Sequence, residues 1–176
     1  MARFDKEGIT VLGKTVEDAM NEQIKNELFS AYQYLSMAAY CESENLPGFA
    51  QWMRSQAQEE TVHAMKFYDC VLERNGRVVL RAIDGPLVEF GSPLEVFERA
   101  LEHEKKVTAQ INDLYGVAAK ENDYASQTFL QWFVTEQVEE EKNAGDVVET
   151  LRRMVGDKSE ALFLLDRELG QRRVEE

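Results

Sequence analysis

The sequence predicts an all-α protein: a four-helix bundle with one long crossover loop between helices two and three, plus a short fifth C-terminal helix. Apolar residues recur at alternating steps of three and four along four long segments, which is the spacing of amphipathic helices. The chain has only 3 prolines and 30% charged residues, a composition that favours long helices. Short breaks separate the segments except at residues 76–91, where a long interruption lies between the second and the third.

Local start and stop signals give the helix boundaries. Thr15 with Asp18 resembles a capping box, residues 92–95 (SPLE) are a strong start signal, and Asp157 with Glu160 caps the last helix. The sequences NLPG, NG and ND end the first three helices. We therefore predict one domain over residues 1–176, with an arm at 1–14, bundle helices at 15–44, 47–74, 93–121 and 123–155, and a short helix at 157–170.

Residues 76–91 form the predicted crossover. A chain of about 16 residues can reach about 50 Å when extended, whereas a helix of about 27 residues is about 40 Å long. The loop can therefore travel the length of the bundle and leave helices two and three parallel. Its VVL run at 78–80 either packs on the helices, which is commoner, or pairs as a brief strand with another chain. We expect the tail QRRVEE at 171–176 to be mobile.

Charge and cysteine content bound the partners and the compartment. The net charge of −13, from 33 acidic and 20 basic residues, opposes nucleic acid and anionic membranes as partners and suits cations. The longest wholly apolar run, ALFLL at 161–165, is too short to span a membrane, and no secretory signal opens the chain. Cys41 and Cys70 fall at opposite ends of two antiparallel helices, too far apart to bridge. Buried, inert free thiols indicate a reducing, cytoplasmic location.

Each of the four apolar stripes carries a carboxylate near its middle. These are Glu27, Glu60, Glu104 and Glu140, and His63 shares the helix face of Glu60 three residues on. Singly, each acid fits a snorkelling side chain or an arginine partner. Together in a dry core, four carboxylates repel one another unless they are protonated or bridged by cations. Oxygen ligands with one imidazole suit iron or manganese, and a Glu on each helix with Glu-x-x-His is typical of di-iron carboxylate bundles.

Four segments resemble the non-haem ferritins of bacteria and archaea. NEQIKNELFSAYQYLSMAAY, EETVHA, ALEHEK and FLQWFVTEQVEEE are similar to that family's four helices in order, and the resemblance covers nearly the whole chain. It implies a ferritin-like bundle with an intrasubunit di-iron centre. Glu27, Glu60 and His63 would hold one iron, and Glu60 would bridge to a second iron held by Glu104 and Glu140.

The resemblance also assigns residues around the centre. Gln137 would lie beside the second iron, and Tyr34 would be the nearby tyrosine, although Tyr34 also fits a plain core residue. Glu59, Glu136 and Glu139 match a third iron site that some members use to pass iron inward. The alternative for these three acids is a solvated acidic face.

Two departures from a related branch argue against haem. The haem-binding bacterioferritins repeat Glu-x-x-His on the fourth helix, where this chain has Gln137-Val-Glu-Glu140. They carry the haem methionine just after the first ligand Glu of helix two, where this chain has Thr61. We therefore expect iron and no haem.

Several neighbouring residues are predicted to lie outside the centre. Glu102 and His103 are rotated about 200° and 100° away from Glu104 on the helix, so we expect both to lie at the surface. Trp52 and Trp132 are predicted to serve in packing or subunit contacts.

The sequence therefore predicts a ferroxidase that stores iron. Two Fe(II) ions would bind at the centre and be oxidised by O₂ or H₂O₂, and Fe(III) would form a ferric oxyhydroxide mineral. The resemblance implies self-association into a hollow cage, typically of twenty-four chains, with the fifth helix where chains meet. Two alternatives are another di-iron oxidase or peroxidase on the same fold, which a narrow hydrophobic substrate pocket would favour, and a non-catalytic helical assembly that buffers divalent metal.

Overall fold

The computed structural model describes residues 3–4, 10–154 and 160–172. Within these ranges the fold is all-α, as predicted, with a four-helix bundle and a short fifth helix. Two two-residue strands, β1 (Arg3–Phe4) and β2 (Thr10–Val11), pair antiparallel before the bundle. The helices are α1 (Lys14–Ser43), α2 (Pro47–Glu73), α3 (Pro93–Lys120), α4 (Tyr124–Arg153) and α5 (Glu160–Leu169). The predicted start of the fifth helix at Asp157 lies outside the described residues.

The first three helices end in the same way. Asn45, Asn75 and Asn122 each adopt a positive φ, a conformation that Asn tolerates better than most residues. The next residue in each case donates its backbone N–H to a carbonyl five positions back, for example Gly76 to Val71 at 2.8 Å. The Asn in each stop sequence therefore closes the helix.

The helix starts differ from one another. Ser92 caps α3 as predicted, because its Oγ accepts the backbone N–H of Glu95 at 3.1 Å. The predicted capping box of Thr15 and Asp18 is wrong: α1 begins at Lys14 with Gly13 at the N-cap and no side-chain cap. Asp18 instead accepts a hydrogen bond from Lys14 at 2.7 Å, so its carboxylate serves an ion pair on the helix surface.

The start of α2 is capped by a distant residue. Leu46, at the N-cap, provides no side-chain bond. Buried Asp166 of α5 accepts the backbone N–H groups of Gly48 at 2.8 Å and Phe49 at 3.0 Å. A Cβ at Gly48 would lie 1.6 Å from the Asp166 backbone oxygen, so only glycine permits this approach. This contact fixes α5 against the beginning of α2.

The crossover loop runs along α1. Near its start, the Asn21 side chain accepts the N–H of Val79 at 2.7 Å and donates to the carbonyl of Arg77 at 3.0 Å. Near its end, Ser36 donates to the carbonyl of Leu87 at 2.6 Å. The loop forms no strand within this chain, and Val78 of the VVL run packs on the apolar core. Pairing of this run with another chain stays a prediction.

The apolar core forms two clusters at opposite ends of the bundle. One contains Cys41 and Phe97, and the other contains Cys70 and Phe133. Both cysteines are buried free thiols, as predicted, and burial raises the pKa of Cys41 to about 12 and of Cys70 to about 11. None of the described helices is both long and apolar enough to cross a membrane.

Candidate metal centre

A layer of buried polar side chains lies at the middle of the bundle. The four carboxylates predicted from the apolar stripes are all buried, and each comes from a different helix of α1–α4. His63 is buried with them. The residues of this layer are Glu27, Glu60, His63, Glu104 and Glu140.

The tightest part of the layer joins α1 to α2. Glu27, Glu60 and His63 each place one ligand atom so that all three atoms lie within 4.8 Å of one another. The Nδ1 of His63 is 3.5 Å from a carboxylate oxygen of Glu60. Burial lowers the pKa of His63 to about 4, and the charge of Lys66 adds to this, so the imidazole is neutral near pH 7. A neutral imidazole nitrogen is available as a metal ligand.

Among the described residues, Glu60 has the most buried side-chain atoms without a hydrogen-bond partner. It is 1% exposed, and neither of its carboxylate oxygens has a hydrogen-bond partner among the described residues. One carboxylate oxygen of Glu27 is also buried without a hydrogen-bond partner in the described part of the chain. Burial, followed by the charges of Glu104 and Glu27, raises the pKa of Glu60 well above its usual value. Because buried polar atoms are nearly always paired, these oxygens point to a cation as their partner.

Glu104 is held by two neighbouring side chains. Tyr34 donates its hydroxyl hydrogen to one carboxylate oxygen, and the Gln137 amide lies 3.3 Å from the other. Burial raises the pKa of Glu104 to about 8, and the charge of Glu140 adds to the rise. Burial likewise raises the pKa of Tyr34 well above its usual value. The phenol is therefore neutral and acts as a donor.

Glu140 lies between the buried layer and an open cavity. Buried Gln56 donates to its Oε2 at 2.8 Å. Burial raises the pKa of Glu140, against the lowering effects of the Gln56 bond and the charge of Arg172. Among the described residues, a second group with ligand atoms within 4.8 Å of one another is His63, Glu136 and Glu140. Glu104 belongs to neither group, because its carboxylate turns to Tyr34 and Gln137.

A cavity of about 690 Å³ opens beside His63, between α2, α4 and α5. The three acids predicted as a third iron site, Glu59, Glu136 and Glu139, all line it. Glu139 is exposed, whereas Glu59 is paired with Arg172 at 2.8 Å. The full set of lining carboxylates is Glu59, Glu136, Glu139, Glu140, Asp146 and Glu168.

One prediction about a nearby residue is wrong. His103 is not a plain surface histidine: it is half-buried, its Nε2 lies 2.8 Å from the Ser30 hydroxyl, and burial lowers its pKa to about 4. Helical rotation places His103 off the metal-facing stripe, but α1 packs close enough on that side to cover it. In the tail predicted to be mobile, Arg172 has partners: its guanidinium pairs with Glu59 and stacks on Trp52. Residues 173–176 lie outside the described part of the chain.

The tryptophans differ in their surroundings. Trp52 is buried and packs edge-on against Tyr34. Trp132 is 41% exposed at the cavity, with the Lys66 ammonium 4.5 Å from its ring centroid. Trp52 therefore has a packing role within the chain, which is one of the two roles predicted for the tryptophans.

Three hydrogen-bonding residues of the site were not singled out from the sequence. Gln23 donates to Glu27 at 2.8 Å, Gln56 donates to Glu140, and Arg172 pairs with Glu59. Gln56 lies on the apolar stripe of α2, so a buried amide near the acids was a detectable signal. Gln23 lies four residues before Glu27, which is also a helical neighbour position. No local pattern points to Arg172.

Comparisons with known proteins give the family of the chain. A family model described as a ferritin-like domain matches residues 17–154. The chain is 40% identical over 166 residues to the bacterial non-heme ferritin of Staphylococcus aureus (strain USA300), covering 94% of this chain and 99% of that protein. The corresponding protein of Staphylococcus saprophyticus is also 40% identical over 166 residues, with the same coverage.

Solved structures give the same result. An open pore ferritin from the hyperthermophilic archaeon Archaeoglobus fulgidus is 50% identical, with a TM-score of 0.90 over 92% of this chain and 99% of that one. A humanized archaeal ferritin is 49% identical, with a TM-score of 0.92 over 94% of this chain and 99% of that one. The family match covers the four bundle helices except the first three residues of α1, and the relatives match over nearly their whole length. The chain therefore belongs to the ferritin family, and it carries the ferroxidase and iron-storage function of that family.

Proposed function

We propose that Fe(II) is oxidised at the buried carboxylate layer of each subunit. Glu27, Glu60 and His63 bind one Fe(II), and Glu60 bridges to a second Fe(II) bound by Glu104 and Glu140. Each Fe(II) gives up one electron, so two neighbouring ions supply the two electrons that reduce O₂ to H₂O₂ or H₂O₂ to water. The protein side chains bind and orient the ions, and the redox chemistry belongs to iron and the oxidant.

The single observation that carries this proposal is the state of Glu60. Both of its carboxylate oxygens are buried without a hydrogen-bond partner among the described residues, beside the Nδ1 of His63 and the carboxylate of Glu27. Without a cation, a charged Glu60 would be buried and unpaired, at a cost of several kcal/mol, and its raised pKa favours the protonated form instead. A divalent cation removes that cost, and four carboxylates with an imidazole suit iron.

The neighbouring donors orient the ligands. Gln23 and Gln56 each donate to one oxygen of a carboxylate, which leaves the other oxygen of Glu27 and of Glu140 for a cation. Tyr34 supports Glu104 through a hydrogen bond from its hydroxyl group to one carboxylate oxygen, and the Gln137 amide lies beside the other. Such second-layer bonds fix ligand orientation and tune the affinity for the metal. Gln137 belongs to the same layer and lies beside the position proposed for the second ion.

The acidic cavity is the proposed route for iron between the centre and the storage space. Glu59, Glu136 and Glu139 form the proposed third site, and the cavity that they line opens beside His63 and Glu140. A route lined by carboxylates favours passage of cations over an organic substrate, which counts against another oxidase with a hydrophobic pocket. We further propose a cage of twenty-four chains in the cytoplasm that contains no haem and stores iron as a ferric oxyhydroxide mineral.

The test is the double variant Glu60→Ala/His63→Ala. It should abolish fast Fe(II) oxidation in stopped-flow assays and lose tight anaerobic Fe(II) binding, while circular dichroism shows unchanged helix content. Glu73→Ala, which removes an exposed acid from the same helix, is the control and should behave as the native protein. Unchanged initial rates in the double variant would overturn the assignment. Tight binding without rapid oxidation in the native protein would favour the metal-buffering alternative.

A further inference from the structure

Arg172 lines the acidic cavity. It follows α5, and its Nη2 donates to Oε2 of Glu59 at 2.8 Å. The guanidinium carbon lies 4.5 Å from the centre of the Trp52 ring. The side chains of Arg172 and Glu59 are only 19% and 14% exposed. The position of Arg172 is therefore fixed by an ion pair and a cation–π contact together.

The contact places a positive charge where a metal ion would bind. Arg172 and Lys66 supply the basic side chains among the residues that line this cavity. Lys66 lies over the ring of Trp132. Arg172, in contrast, pairs with Glu59 of the proposed third site. A guanidinium and a divalent ion on the same carboxylate repel each other, and the low exposure of the pair limits screening by solvent and salt.

We propose that Arg172 is a displaceable counter-ion of Glu59, so that an ion entering the third site must first displace the guanidinium. This inference rests on the proposed function of the cavity. It makes Arg172 a residue that sets the affinity of the third site and, through it, the order in which ions fill the subunit. The buried centre fills first, because among the described residues Arg172 is hydrogen-bonded to Glu59 and to none of the four carboxylates of the centre, although its charge acts on Glu140.

Displacement of Arg172 does not require α5 to leave the bundle. Asp166 holds α5 to the start of α2 through two backbone N–H groups. Leu165 and Leu169 of the same helix are buried in the apolar core. Arg172 lies beyond this anchored segment, so its side chain can turn away from Glu59 while the helix stays in place.

The experiment is a calorimetric titration of the metal-free, assembled protein with Zn(II), which cannot be oxidised. The native protein should bind two ions tightly and a third weakly. Arg172→Gln removes the charge, and the third ion should bind at least about tenfold more tightly. Arg172→Lys keeps the charge and should keep third-ion binding weak. Arg167→Gln is the matched control, because it removes an exposed charge from the same end of the chain.

Tryptophan fluorescence gives a second readout. In a Trp132→Phe background, Trp52 is the one remaining tryptophan of the 2 in the chain. Filling the third site should change the Trp52 emission as Arg172 leaves the ring, and Arg172→Gln should remove that change. In Arg172→Gln/Glu59→Gln the gain in affinity should disappear.

The outcomes separate the two proposals. A titration of Arg172→Gln that superimposes on the native one overturns the role of Arg172, whether or not the two tight sites are present. A native protein that binds no Zn(II) tightly overturns the proposed centre instead.

Discussion

The buried amide of Gln56 provides a sharp test of how the centre is positioned. Its Nε2 donates to Oε2 of Glu140 at 2.8 Å, and the residue is fully buried on α2. Gln56→Leu keeps a side chain of similar size but removes the donor. Glu140 is then buried with one hydrogen-bond partner fewer, so its orientation toward a bound ion is lost.

The size of the effect follows from the type of bond. A hydrogen bond to a charged group contributes about 1.5–3 kcal/mol, and each 1.4 kcal/mol is about tenfold in binding. We therefore expect Gln56→Leu to weaken Zn(II) or anaerobic Fe(II) binding by about 10- to 100-fold, which agrees with the usual effect of such second-layer changes. Calorimetry measures the affinity and stopped-flow absorbance the oxidation rate. Gln58→Leu, at an exposed position on the same helix, is the control. Affinity that is unchanged in Gln56→Leu would refute the positioning role.

Three further predictions follow from the same geometry. Glu104→Gln should slow Fe(II) oxidation at least about tenfold, whereas exposed Glu102→Gln should change it little; equal effects in stopped-flow assays would refute the helix phase. The metal-free protein should lose stability as pH rises from about 4.5 to about 8, because burial raises the pKa of Glu104 to about 8 and the folded state then favours the protonated form. Melting temperatures at pH 5 and pH 8 test this: the loss should shrink in Glu104→Gln and with bound Zn(II), and a rise with pH would contradict it. Asp166→Ala should destabilise the protein by about 2–4 kcal/mol, because it leaves two buried N–H groups at the start of α2 without an acceptor. Denaturant unfolding with exposed Asp146→Ala as control measures this, and equal midpoints would exclude the cap.

The parts of the fold and site that the sequence could predict depend on helical periodicity. An apolar stripe identifies the core-facing positions of a helix, so a Glu on that stripe is placed in the core without knowledge of any other helix. This is why Glu27, Glu60, Glu104 and Glu140 were located correctly as buried residues. The Asn stop signals worked for a related reason, because a positive φ is a local property of the residue and its helix end.

The parts that were missed depend on contacts between distant segments. Asp166 caps α2 through Gly48, 118 positions earlier, and Arg172 pairs with Glu59 across 113 positions. His103 is covered by Ser30 of another helix, which rotation about its own helix cannot reveal. In each case the residue type was ordinary for a surface position. Asp166 and Arg172 gain their partners only when α5 packs on α2, and His103 gains its partner only when α1 packs on α3.

The placement of the carboxylates also couples iron binding to the bundle as a whole. Glu27, Glu60, Glu104 and Glu140 come from four helices and lie between the two apolar clusters. Without a cation, this layer interrupts the core with mutually repelling groups whose pKa values are all raised. A cation that binds only the folded layer stabilises it by about 2.7 kcal/mol at 100 times the dissociation constant. Replacing the acids with apolar residues should therefore favour the metal-free fold and remove Fe(II) oxidation, because the side chains that destabilise the empty core are those that we propose to bind the substrate.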